Sequence, residues 1–303
     1  MSSPRSSTSS TSSSSSYTSA SLCLRSTPMS YAERPTHQKE MIDACASGDL
    51  PKLQNLFRQY NIKQGDHAIE WGGVEPEDLY GPPPTATLIE AAVAQKHPAI
   101  VAFLLSTYPD VQVYRSDIVH AALDNPHVET FQLLHAHDPS IVNFLFDDYL
   151  SNILTAACQS SDLQLAYYLL DNGADPNPNE TMLGSALASA IWTSQPLELI
   201  VKIAERGGWI THLTFNQAIF AKRLDILRLF VDRCADFEFR WLSVSALRKT
   251  ALQTYNWRII SLVLQFIRAY KKGSRRIAAG TVGKGKAEKQ MGQAGSRKPR
   301  QQR

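Results

Sequence analysis

Apolar residues recur through the middle of the chain at helical spacing, in pairs of short segments separated by polar or glycine-containing breaks. One such pair comprises residues 151–157 and 163–170, where Leu, Ile and Ala lie three and four positions apart. An apolar stripe with this period predicts an amphipathic helix. Helices this short are not stable alone in water. The pattern therefore predicts helix pairs that are stabilised by packing on one another.

This frame recurs seven times between residues 37 and 270. The steps between the paired apolar positions are 48, 29, 36, 34, 27 and 33 residues. A period of this size is typical of repeat proteins, in which each unit packs only on its neighbours. The apolar landmarks are Leu56 and Phe57, Leu104 and Leu105, Leu133 and Leu134, Leu169 and Leu170, Ile203, Phe230 and Val231, and Val263 and Leu264.

The fourth unit ends in a Gly-Ala-Asp-Pro-Asn turn at residues 173–177. Gly173 can adopt the left-handed conformation that ends a helix, and Asp175-Pro176 can start a turn. Two short helices followed by this turn resemble the ankyrin repeat. The resemblance implies an all-α ankyrin-repeat solenoid of about seven units, whose role is to bind another protein. The family's Thr-Pro-Leu-His opening is missing from every unit, so the array is divergent.

The first step of 48 residues is longer than the others. It implies an insertion of about fifteen residues relative to a period of about 33. The insertion falls at residues 61–85, which contain Pro82, Pro83 and Pro84. We expect an extended finger loop there, between the first two units.

The domain boundaries predicted from composition are 1–36, 37–270 and 271–303. The first segment is rich in Ser and Thr, and it cannot bury enough apolar surface to offset the entropy of ordering. We expect a disordered tail that is open to phosphorylation, with a mitochondrial transit peptide as the alternative. It has no apolar core of the kind found in secretory signals.

The C-terminal segment, residues 271–303, is strongly basic. It contains eleven basic residues and one acidic residue, a net charge of +10. Since the whole chain carries +3, residues 1–270 carry −7. We expect a disordered tail whose basic clusters favour nuclear import, with nucleic-acid binding or a solvated charge run as alternatives. The import candidates are Lys271, Lys272, Arg275, Arg276, Arg297, Lys298 and Arg300.

No catalytic constellation is recognisable, so the sequence predicts a non-enzymatic protein without a cofactor or metal. His135-Ala136-His137-Asp138 is the most metal-like cluster, but no further ligand is evident. Residues 280–286 lack the spacing of a phosphate-binding loop. The four cysteines have no paired spacing, which favours reduced thiols in an intracellular compartment. No stretch approaches the ~20 apolar residues that span a bilayer.

Aromatic and charged residues in the loops predicted between successive units are the candidates for partner binding, because Trp, Tyr and Arg are enriched in interface hot spots. The alternative is that the aromatic side chains fold back and pack on the stack. The candidates are Trp71, Tyr80, Tyr114, Arg115, Phe144, Phe146, Asp147, Asp148, Tyr149, Phe239, Arg240 and Trp241. The acidic residues at 147 and 148 favour a basic partner.

The layout of divergent repeats between a Ser-rich start and a basic end is similar to fungal ankyrin-repeat transcription coregulators that are associated with secondary-metabolite gene clusters. This similarity implies a nuclear adaptor that regulates transcription through contacts with a transcription factor. The N-terminal segment has few basic residues, so direct sequence-specific DNA binding is not expected. The alternative is a cytosolic scaffold or a substrate adaptor for a ubiquitin ligase. A monomeric stack without membrane contact is expected in both cases.

Overall fold

A computed structural model of the chain describes residues 32, 34–70, 81–146, 151–178 and 185–272. These residues form fourteen α-helices, one short 3₁₀ helix at Pro139–Asn143 and no extended strand. The α-helices are α1 (Thr36–Ser47), α2 (Leu50–Gln59), α3 (Thr85–Ala94), α4 (Pro98–Thr107), α5 (Ser116–Asp124), α6 (Val128–His137), α7 (Ile153–Ala157), α8 (Gln164–Asp171), α9 (Ala186–Trp192), α10 (Leu197–Glu205), α11 (His212–Phe220), α12 (Leu224–Asp232), α13 (Val244–Gln253) and α14 (257–272).

The helices are arranged as seven consecutive pairs, α1–α2 through α13–α14. The first helices of successive pairs start 49, 31, 37, 33, 26 and 32 residues apart, close to the steps read from the sequence. Each first helix packs against the first helix of the next pair, and α4, α6, α8 and α10 pack in series on the other side. The predicted all-α solenoid of about seven units is therefore confirmed. Thr36 of the first predicted tail begins α1, and Lys271 and Lys272 of the second end α14. Residues 1–31, 33 and 273–303, on which the rest of the predicted disorder falls, lie outside the described residues.

The apolar landmarks of the sequence, except Leu264, belong to or pack against one continuous core along the stack. Met41, Leu104, Leu169 and Phe215 are fully buried, as are Ala and Cys residues on the first helices. Small side chains on these helices permit close approach of the neighbouring helix. Towards the C-terminal end the core becomes aromatic, since the Phe215 ring lies 4.9 Å from Phe230 and 4.5 Å from Phe266.

In five of the seven units the turn between the two helices uses a left-handed residue, and that residue is glycine only in the first unit. Gly48 has a φ of +78°, and Lys96, Ser194, Lys222 and Tyr255 occupy the same conformation with φ between +50° and +61°. A side chain at Gly48 would collide with the His97 ring of the next unit, 2.7 Å from its Cβ position. The mid-repeat glycine is thus required only where a neighbouring unit approaches the turn.

The connection between α2 and α3 runs back along the second unit before residues 71–80, which are not described. The amide of Gly65 donates to Thr107 O at 2.9 Å, and the amide of Ala68 donates to Asp110 Oδ1 at 2.8 Å. Ile69 and Thr85 exchange two further hydrogen bonds. These bonds hold the start of the loop against the end of α4.

Three cysteines lie in the described part of the chain, and all three are free thiols. Burial raises the pKa of Cys45 and of Cys158 to about 12. Both thiols are therefore protonated packing groups at neutral pH. None of the described helices is long and apolar enough to span a bilayer.

Asn152 couples a helix start to the next turn. It is 1% exposed, caps α7 by accepting from the amide of Thr155 at 2.9 Å, and donates to Asp175 O at 2.7 Å. We predict that Asn152→Ala lowers the free energy of unfolding by about 2 kcal/mol, because the buried cap of α7 and the hydrogen bond to Asp175 O in the next turn are both lost. Urea denaturation measures this. Ser243→Ala, which removes an exposed cap of α13, is the control and should cost less than about 1 kcal/mol. Equal losses would contradict the coupling role of Asn152.

Candidate protein-binding surface

The loops that connect successive pairs form a row along one edge of the stack. We call these loops fingers. The amide of Asp175 donates to Asn143 Oδ1 in the preceding finger at 2.7 Å. Asn177 donates to Gly207 O at 2.9 Å and accepts from the amide of Trp209 at 2.9 Å. Ile210 pairs with Phe239 in a parallel bridge. Because each finger is bonded to the next, the row behaves as one preformed edge.

A groove of about 690 Å³ lies between the first helices of the third and fourth units and the finger that joins them. We call it the central groove. Its lining is mostly polar, with a few apolar side chains among the polar ones. The lining residues are Ser116, His120, Leu123, Asp124, Phe146, Ser151, Ala156, Gln159 and Ser160.

His120 and Phe146 form the aromatic side of the central groove. Their ring centroids are 5.0 Å apart, and His120 is exposed while Phe146 is half-buried. The Phe146 ring is held by Phe144, whose centroid lies 5.3 Å away. Phe144 thus fixes this aromatic surface, and Asp124 and Gln159 are accessible polar groups of the same groove. Such a surface suits an extended or helical segment of another protein.

Charged side chains extend this surface towards the second unit. Arg115 donates to Asp117 through Nη2 at 2.7 Å, and this hydrogen bond raises the pKa of Arg115. Glu90 of α3 interacts electrostatically with both Arg115 and Asp117. Partial burial raises the pKa of Glu90, and the negative charge of Asp117 raises it further. The charged form of such a carboxyl group is disfavoured in the free protein, and the approach of a cation would stabilise it.

A second cluster lies in the fingers of the fifth and sixth units. The Arg240 guanidinium lies 3.9 Å from the centroid of the Trp209 ring, and Trp209 packs edge-on against Trp241 at 5.3 Å. Arg240 is fixed further by Glu238, whose carboxylate accepts from Nε at 2.6 Å. Trp241 remains 46% exposed. This stacked arrangement leaves an indole available for contact.

The sequence-predicted partner residues divide into accessible and buried groups. Tyr114 is 38% exposed, and its hydroxyl accepts from the amide of Leu145 at 3.1 Å. Phe144 is only 4% exposed and packs on Tyr114 at 4.6 Å, so its ring belongs to the core. Phe239 is half-buried against Phe266. For Phe144 the alternative reading applies, in which the aromatic ring folds back onto the stack.

Several predicted site residues lie outside the described part of the chain. They are Trp71, Tyr80, Asp147, Asp148, Tyr149, Arg275, Arg276, Arg297, Lys298 and Arg300. Lys271 and Lys272 are described, and both are exposed at the end of α14.

The histidine cluster at 135–138 has structural partners. His135 Nδ1 lies 2.7 Å from the Tyr168 hydroxyl, and His137 Nε2 lies 3.0 Å from Val111 O. Asp138 accepts from the amide of Ser140 and caps the 3₁₀ helix. Within the described residues no group of three His, Cys, Asp or Glu side chains could hold a metal ion. These residues connect adjacent units.

Three residues of the central groove, His120 and Asp124 on α5 and Gln159 in the turn after α7, are not among the site residues predicted from the sequence. The prediction from sequence favoured finger residues because exposure is easy to infer in loops. The sequence does contain a signal for the groove residues on α5. Ser116, His120 and Asp124 recur every fourth position and so form a polar stripe on this helix. Trp209 was also missed, although it follows the Gly207-Gly208 turn.

Replacing Glu90 tests the electrostatics of this surface. Its pKa is raised in the folded protein, so its ionisation opposes folding once the pH exceeds the unfolded-state pKa of about 4.3. We predict that Glu90→Gln raises the melting temperature at pH 7, and that the gain disappears below about pH 4. The stabilisation should stay below about 1 kcal/mol, because the group is half exposed. Thermal scans across this pH range, with the exposed Glu40→Gln as control, measure the effect. A gain that is independent of pH would contradict this account.

Comparison with known proteins identifies the repeats. Residues 88–180, which run from within α3 to beyond α8 and include the central groove, match the family model for ankyrin repeats in three copies. No curated protein matches the chain. Ankyrin repeats are generally non-enzymatic modules that bind other proteins. Residues 88–180 are therefore ankyrin repeats, and the stack of helix pairs that contains them is an ankyrin-repeat solenoid.

Proposed function

We propose that this protein is a nuclear adaptor that binds a segment of a transcription regulator in the central groove and so acts as a coregulator. The observation that carries the proposal is the groove itself, an accessible cleft of about 690 Å³ built by the first helices and the finger of the matched repeats. A cleft of this size can accommodate side chains of a peptide segment better than a flat surface can.

The rigidity of the groove supports recognition of a partner without large rearrangement. Both flanking helices are fixed by the core, since Ile118, Leu154 and Ala157 are at most 1% exposed. Phe146 is held by the backbone bond from its amide to Ser151 O at 3.2 Å. A preformed surface loses less entropy on association than a mobile one.

The charge distribution supports nuclear location. The basic residues concentrate in 271–303, whereas residues 1–270 carry a net charge of −7. Split Lys and Arg clusters of this kind suit nuclear import carriers. The acidic body is suited to basic partners, a class that includes many proteins that bind nucleic acid.

The central groove gives the first test. Ala156→Arg places a long side chain in the groove from a position that is only half-buried. We predict that this variant, and His120→Ala, reduce proximity labelling of the main partners at least about fivefold, the loss expected when about 1 kcal/mol of binding energy is removed. Arg58→Ala on the exposed side of α2 is the control. Enrichment of ubiquitin-ligase subunits instead of transcription regulators would favour the adaptor alternative.

Location in the cell gives the second test. We predict that the tagged full chain accumulates in the nucleus and that removal of residues 273–303, which leaves α14 intact, abolishes this accumulation. Fluorescence imaging of both forms at equal expression measures the nuclear fraction. Cytoplasmic signal from the full chain would contradict the nuclear proposal and favour a cytosolic scaffold.

A further inference from the structure

The last helix pair differs in charge from all earlier units. Residues 241–272 contain six basic residues and no acidic residue, whereas each preceding unit contains Asp or Glu. All six basic side chains are exposed, and no salt bridge among the described residues involves them. They are Arg248, Lys249, Arg258, Arg268, Lys271 and Lys272. The C-terminal end of the described stack is therefore an uncompensated cationic surface.

The outer side of this pair also carries apolar side chains, and no described unit packs on them. Val93, Ile191 and Ile219 precede the left-handed turn residue of their units by three positions, and each is at most 1% exposed. Leu252 occupies the same position before Tyr255 and is 49% exposed. The site at which a following unit would pack is thus open after α13.

A groove of about 740 Å³ follows this open site along α13 and the start of α14. We call it the cap face. Its floor is apolar, and Arg248 and Lys249 lie along its α13 side. The lining residues are Ser245, Arg248, Lys249, Leu252, Gln253, Tyr255, Trp257 and Ile260.

Two large aromatic side chains project at the turn of the cap face. Tyr255 is 94% exposed and Trp257 is 72% exposed. Tyr255 holds the left-handed turn conformation that Lys96, Ser194 and Lys222 hold in other units. The Arg258 guanidinium lies 5.9 Å from the centroid of the Trp257 ring. Exposed Tyr and Trp beside Arg are the composition of interface hot spots.

The geometry of the stack indicates what shape fits. In the preceding units, the equivalent side of each first helix is covered by another helix, as α13 covers α11. Along α13, Ser245, Arg248, Lys249 and Leu252 lie at positions i, i+3, i+4 and i+7, which form one stripe. A helix with its own apolar stripe can therefore lie in this groove.

The charge indicates what sequence fits. Residues 1–31 contain no acidic residue, and residues 273–303 contain nine basic residues and one acidic residue. Neither of these two segments can supply the acidic complement. Acidic side chains of an incoming helix would meet Arg248 and Lys249, while its apolar side chains would contact Leu252 and Trp257.

We propose that the cap face binds an acidic amphipathic helix of a partner protein. This second interface is separate from the central groove, so the chain can join two partners. The proposal does not depend on the identity of the central-groove partner.

A labelled peptide tests the proposal with the full chain. The probe is a fluorescein-labelled amphipathic helix of about 18 residues built from Leu, Ala and Glu, long enough to be helical. A second peptide has every Glu replaced by Lys. We expect fluorescence anisotropy to show binding of the acidic peptide at least about tenfold tighter than of the basic one, with affinity that falls as salt rises.

Variants then locate the binding site. Trp257→Ala and the double variant Arg248→Glu/Lys249→Glu should each weaken binding of the acidic peptide about tenfold or more. The controls are Trp192→Ala, an exposed indole on α9, and Lys52→Glu/Arg228→Glu, an equal charge change elsewhere. These should change the affinity less than about twofold. Circular dichroism and melting temperature establish that each variant is folded, and the single Trp257→Ala variant decides the test if the double variant is not.

Three results would overturn the proposal. Undiminished peptide binding by the cap-face variants would place the binding elsewhere, for example in the basic tail. Self-association that Trp257→Ala abolishes, measured by sedimentation, would make a second copy of the chain the occupant. Tight binding of single-stranded DNA that requires Trp257, without binding of the acidic peptide, would make the surface a nucleic-acid site.

Discussion

Burial of each helix pair against the next is the interaction on which the rest of the structure depends. A two-helix unit has apolar groups on both sides and cannot cover them by itself. In this chain Ile191 and Ile219 are at most 1% exposed, and their helices, α9 and α11, pack against the first helix of the following pair. Stability is therefore shared between neighbours, and each end of the described stack presents a surface that no described unit covers.

The same packing organises the polar parts of the molecule. Once the first helices are placed side by side, the connecting loops lie close enough to bond to one another through Asn143, Asn152 and Asn177. The fingers then form a fixed edge beside the first helices. The central groove exists because Phe146 from a finger and His120 from α5 are brought to 5.0 Å by this arrangement.

The two proposed interfaces arise at different places in the stack of repeats. The central groove lies where two units meet and is completed by both of them. The cap face lies where the described stack ends, so that Leu252 keeps an exposure that its counterparts lose. Their electrostatics differ as well, because Glu90 and Asp117 lie beside the first surface, whereas the helix pair that carries the second contains basic residues and no acidic one. Two such surfaces would bind partners of different charge.

The sequence by itself determined the helix pairs, their number and their order. Helical periodicity depends on local spacing, so Leu165, Leu169 and Leu170 already specify one face of α8. The turn at Gly173 was equally readable, and its φ of +84° follows from the lack of a side chain. What the sequence could not determine was which aromatic residues are accessible. Phe144 and Phe146 are two positions apart in one finger, yet one is buried and the other lines the central groove. That difference depends on Tyr114 and His120, which lie more than twenty residues away in the sequence and become neighbours only when the third and fourth units stack. Accessibility is decided by contacts between units, and those contacts exist only in the tertiary structure.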